Sequence, residues 1–173
     1  MSSPVQPNPN YHDLFTLWAA LVGGLLSIIG GFLAVSIRSR IDKKAEIVYI
    51  KIGLSDELDE ICTIVDKLIE TCSATHIIPN SYLNNLNDNN TAYGYHKLKL
   101  FLINDAKLRK EITSFYKELS EIILDSRNKV GKLGESANDD HDKIAEKFVA
   151  IKAKTESVRT KISKYKYKPY WLF

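Results

Sequence analysis

The 173 residues are 45% apolar and 26% charged, with a formal net charge of +3, which is ordinary for one domain. The averages conceal a partition: residues 1–37 hold one charged side chain, Asp13, and all 24 Lys and Arg follow Ile37. A uniformly soluble globule is thereby excluded, and so is a multidomain enzyme, since the remaining chain of about 130 residues suffices for one helical domain with a modest core.

In chain order, an extended flank (residues 1–13, with Pro4, Pro7 and Pro9) precedes 24 uncharged residues from Leu14 to Ile37, LFTLWAALVGGLLSIIGGFLAVSI. As a helix they rise about 36 Å, against a hydrocarbon core of about 30 Å. The expectation is a single transmembrane helix over 14–37. A cleaved signal peptide competes, because Ala34 and Ser36 resemble a small-x-small cleavage site. It is opposed by the missing basic n-region and by an apolar run longer than the usual stretch of about 7 to 15 residues. No Lys or Arg precedes the span, whereas Arg38, Arg40, Lys43 and Lys44 follow it at once. The positive-inside rule then puts the N-terminus outside and residues 38–173 in the cytoplasm, on an inner membrane.

Within the span, Ala20, Gly24, Ser27, Gly31 and Ala34 recur at intervals of 4, 3, 4 and 3, a seam of small residues on which helices can pack closely in lipid. The expectation is self-association along it; the plain alternative is that Gly is common in membrane helices.

Beyond the span, Ile47, Ile50, Leu54, Leu58, Ile61, Val65, Leu68 and Cys72 keep 3 and 4 spacings. They predict an amphipathic helix, with a coiled-coil seam continuing the membrane one as a further reading. Ser55 offers an alternative helix start. Cys62 and Cys72 lie about 15 Å apart along such a helix, too far to bridge each other, and are expected to stay reduced.

A loop is expected near 73–94, where six Asn fall within residues 80–90 after Pro79, with one short turn around Ser81 to Leu86 as a further reading. Residues 95–103 (YHKLKLFLI) alternate like a strand yet also fit a helix, and helix is preferred because no partner strand is visible. Leu108, Ile112, Phe115, Leu119, Ile122 and Ser126 predict a long helix. A loop rich in Gly and acidic residues follows near 129–140. Ile144, Phe148, Ile151, Thr155, Val158, Ile162 and Tyr165 then predict a final helix from about Asp142. The fold class is all-α: one transmembrane helix and a cytoplasmic helical bundle, ending in a basic and aromatic tail.

No catalytic set is legible. The four His are scattered and the two Cys match no metal spacing. Asp139, Asp140, His141 and Asp142 lack the glycine and terminal glutamate of a calcium loop, and read as a solvated helix start. The expectation is a non-enzyme with no metal and no cofactor. Basic character is the better lead. Lys164, Lys166 and Lys168 alternate with rings in the terminal KYKYKPYWLF, with Lys161 just before it in the same basic run, and Lys97, Lys99, Lys107, Arg109 and Lys110 form a second cluster. Three readings stand for the tail: rings docked on its own bundle, an anchor at an anionic membrane surface, or a binding surface for a nucleotide or single strand. The second cluster is a candidate anion-binding face, or a solvated helix face.

The span, the basic flank Arg38 to Lys44, and a helical domain with basic and aromatic clusters make the chain resemble, in architecture, type III CRISPR-associated transmembrane effectors that bind cyclic tetra-adenylate. The resemblance implies a homo-oligomer, a tetramer, whose soluble domains bind a cyclic oligonucleotide at a shared axis and perturb the membrane in antiviral defence; duplex nucleic acid is not an expected partner. The rivals are a membrane-tethered scaffold that binds a protein through its helices, and a holin-like lysis protein.

Overall fold

The computed structural model describes residues 9–75, 78–88, 90–130 and 137–167, and every regular element among them is helical. These elements are α1 (Pro9–Thr75), α2 (Asn80–Asp88), α3 (Thr91–His96), a 3₁₀ helix (Lys97–Leu102), α4 (Ala106–Val130) and α5 (Ala137–Lys164). The chain divides into two compact units, residues 1–43 and residues 44–173.

In the first unit every α1 side chain from Leu14 to Ile37 is exposed, on all faces of the helix. A helix that is apolar all round needs apolar surroundings. Among the described residues this is the one helix long and apolar enough to cross a membrane. Among the described residues, the glycines at 23, 24, 30 and 31 meet no side chain, since a Cβ at any of them would find no atom within 4 Å.

The second unit is built on three amphipathic faces. All eight residues of the Ile47 to Cys72 stripe are buried, none more than 3% exposed. All of them but Ile47 enter one core with Leu108, Ile112, Phe115 and Leu119 of α4 and Ile144, Phe148, Ile151, Val158 and Ile162 of α5. α4 lies along α5 and against α2. Two polar members of these stripes are buried without cost to hydrogen bonding: the Ser126 hydroxyl donates to the Ile122 carbonyl and that of Thr155 to the Ile151 carbonyl, each at 2.7 Å. The α1 stripe therefore faces the core of its own unit and is not a seam for another chain. α1 also passes Ser55 unbroken.

The expected loop near 73–94 is a correction. α1 continues to Thr75, and α2 and α3 occupy most of the rest. Asn is a poor helix former in isolation, but Leu83 and Leu86 are fully buried on one face of α2, and tertiary burial overrides propensity. The loop near 129–140 is likewise shorter, with α4 running to Val130 and α5 starting at Ala137, ahead of Asp142. Asp139 to Asp142 fall in the first two turns of α5, and their side chains lie outside the described residues. Residues 97–102 form neither strand nor α-helix but a 3₁₀ helix that buries Leu100 and leads to the buried Ile103.

Candidate functional site

Two of the basic clusters meet where α4 begins and α5 ends. Asp105 opens α4 by accepting, at Oδ1, the Leu108 amide at 2.9 Å, so its charge faces the positive end of the helix. At the other element the Tyr165 amide donates to the Lys161 carbonyl at 3.0 Å. Lys51 of α1 then donates from Nζ to the carbonyls of Ser163 (3.2 Å) and Tyr165 (2.8 Å). A cation thus serves the negative end of α5. The Tyr165 hydroxyl accepts the Asn104 amide at 2.9 Å, tying the two chain segments together.

The result is a cleft of about 340 Å³ walled by Lys107, Leu108, Glu111, Lys161, Lys164 and Tyr165 over Asp105. A second recess of about 430 Å³ beside it adds Asn104 and Lys166. Lys161 is held by Glu111 at 2.8 Å, and the Asp105 carboxylate is engaged at the helix start. Lys107, Lys164 and Lys166 carry no ion pair among the described residues. The cleft is therefore net cationic, with an aromatic wall.

The other expected site residues are elsewhere. Lys99 pairs with Glu46 at 2.6 Å and lies 5.5 Å from the Tyr95 ring centre; that hydrogen bond raises its pKa. Arg109 donates from Nη1 to the Ile103 carbonyl, a structural role at the start of α4. Lys97 lines a different pocket of about 450 Å³ with Asn90, Tyr93, Tyr116 and Lys117. Lys110 is exposed and walls none of these recesses, while Lys168 lies outside the described residues. The seam residues Ala20, Gly24, Ser27, Gly31 and Ala34 are exposed in the first unit.

Sequence reasoning missed Asn104 as part of the recess and Lys51 as the cation that serves the end of α5, and it missed a buried polar node. Glu57, 6% exposed, accepts the Ala92 amide at 2.5 Å and the Tyr93 amide at 3.3 Å. Burial pushes its carboxyl pKa up, and the nearby Tyr116 hydroxyl and the two amides pull it partly back. Tyr116 stacks on Tyr93 with ring centres 4.0 Å apart. Its hydroxyl lies near Glu57 without hydrogen-bonding geometry, and burial raises its pKa strongly. No spacing rule flags a single Glu beside an apolar stripe. Among the described residues no group of His, Cys, Asp and Glu is placed to hold a metal ion.

Comparison with protein-family models, curated proteins and solved structures finds no match to this chain.

Proposed function

We propose that this chain is a membrane-anchored, self-associating effector whose helical unit lies in the cytoplasm and binds a small polyanion in the α4/α5 cleft. The resemblance of its architecture implies a nucleotide second messenger of the cyclic oligoadenylate class. The observation that carries the reading is the convergence of Lys107 with Lys164 and Lys166, from clusters more than fifty residues apart, beside the Tyr165 ring. Lysines answer phosphates and the ring offers a stacking face for a base. Gathering one such cleft from each subunit of a tetramer would multiply the charge presented to a ligand of matching symmetry.

Self-association rests on a second feature. The 4 and 3 spacing of the span seam continues through Arg38 to Ile41, Ala45, Val48 and Ile52, and in the second unit Val48 and Ile52 are 46% and 55% exposed on the side of α1 away from the core residues Ile47, Ile50 and Leu54. Apolar residues on both sides of a soluble helix fit a helix that meets another copy. The four span glycines, which no close contact among the described residues requires, fit the same contact.

The test uses the full-length protein in detergent. Cyclic tetra-adenylate at a hundredfold excess over its Kd is expected to stabilise the folded protein by about 2.7 kcal/mol, and Lys164→Glu with Lys166→Glu to abolish that shift. No thermal shift with any cyclic oligoadenylate, or an undiminished shift in the double variant, overturns the reading.

A further inference from the structure

The 3₁₀ helix displays two large apolar side chains outward, next to an exposed tyrosine in the last turn of α3. Leu98 is 84% exposed and Phe101 69%, and Tyr95, one turn earlier, is 66% exposed. At about three residues per turn, side chains at i and i+3 eclipse, so Leu98 and Phe101 stand together on one edge; Tyr95, in the last turn of α3, lies three residues before Leu98, its ring against the His96 ring and the Lys99 ammonium. The alternate phase, Leu100 and Ile103, is buried at 5% and 1%. The exposed row is therefore not a poorly packed core: the segment has a filled inner face and a separate outer one.

Its position is set by the first turns of the second unit. Glu46 holds Lys99 at 2.6 Å, and the Tyr49 ring meets that of His96 edge to face with centres 5.4 Å apart. One turn on, Lys51 holds the end of α5 through the Ser163 and Tyr165 carbonyls. The apolar row, Lys164 and Lys166 thus belong to the end of the unit at which the chain enters it, a few residues after the basic run Arg38 to Lys44. Three carboxylates of that end are occupied: Glu46 by Lys99, Glu111 by Lys161, and Asp105 by the Leu108 amide. Lys97, Lys164 and Lys166 are exposed and carry no ion pair among the described residues.

We propose that this end of the second unit docks on the headgroup layer of an anionic bilayer, with Leu98 and Phe101 inserted at the acyl boundary, the Tyr95 ring at headgroup level, and Lys97 among lipid phosphates. The proposal rests on the reading of residues 14–37 as a membrane anchor. Alternation of large apolar side chains with lysine is the chemistry of an interfacial segment, whose apolar groups enter lipid while cations stay with phosphate. The anchor holds this surface at high effective concentration beside the bilayer, so a short row suffices where a free protein would need a longer one.

The experiment places the full-length protein, one copy per nanodisc, in phosphatidylcholine discs and in discs with about 30% phosphatidylglycerol, and follows amide hydrogen exchange of residues 95–103. The expected result is about tenfold slower exchange of this segment in the anionic discs, abolished by Leu98→Ser with Phe101→Ser. Both side chains are exposed, so the variant keeps its core; Phe101→Trp, with its emission shifted to the blue only in anionic discs, gives an independent readout. Equal exchange in both lipids overturns the docking. Protection that appears only when several copies share a disc overturns it in favour of contact between copies. Failure of the protein to enter discs at all would instead remove the anchor reading.

Discussion

Replacing Glu57 with alanine should release α3 from α1. α3 has six residues, too few to be stable as a free helix, and two of its first amides, Ala92 and Tyr93, end on the Glu57 carboxylate. Hydrogen bonds to a charged acceptor are worth about 1.5–3 kcal/mol, and a buried donor stripped of its partner costs about 1–3 kcal/mol. Against this, the carboxylate is desolvated, as its raised pKa records, and alanine relieves that penalty. The net expectation is a loss of about 2–4 kcal/mol, or about 10 °C in Tm for a unit of this size. Glu57→Gln keeps one acceptor oxygen in place without the charge, so its loss should be under about 1.5 kcal/mol.

Both variants also differ from the parent in pH dependence, since neither side chain titrates. Because the folded pKa of Glu57 lies above its ordinary value, the native state holds this proton more tightly than the unfolded chain. The associated stability is fully present below about pH 4.5 and is lost as pH rises through the folded value. Glu57→Gln removes that component of the slope. Thermal unfolding of the full-length protein in detergent, followed by circular dichroism across pH 4 to 8, reads both effects. Equal Tm values for the alanine and glutamine variants, each within about 0.5 kcal/mol of the parent, would show that the carboxylate does not hold α3 and refute the reasoning.

Phe148 is fully buried between α1, α4 and α5; Phe148→Ala should cost about 3–5 kcal/mol through lost transfer energy and a residual cavity, read as a lower denaturation midpoint with an unchanged m-value. His96 is buried and its Nδ1 has no hydrogen-bond partner among the described residues. Burial, then Lys99, lowers its pKa while Glu46 partly opposes them, so the stability it allows is present above about pH 6.5 and is lost as pH falls through the folded value. His96→Leu should accordingly lose less Tm than the parent between pH 7.5 and 5.5; parallel declines would refute that assignment.

Much of this protein was legible in one dimension because burial in helices is periodic. The α1, α4 and α5 stripes from Ile47 to Ile162 could be written down from 3 and 4 spacings, and nearly every member is buried. The apolar run Leu14 to Ile37 needs no partner to be recognised, since length and the absence of charge are local properties. Tertiary structure decided what those faces meet. Asn80 to Asp88 is helical because Leu83 and Leu86 find a core, which composition cannot report. Residues 97–102 wind as a 3₁₀ helix because Leu100 and Ile103 must reach that core while Lys99 reaches Glu46. Lys107 and Lys164 share a cleft, Arg109 is taken by a carbonyl and Lys99 by a carboxylate, although all four read alike as cations in sequence. The physical reason is the same in each case: periodicity encodes which side of a helix is apolar, whereas the partner of a charge or the fate of a weak helix former depends on residues brought close only by folding.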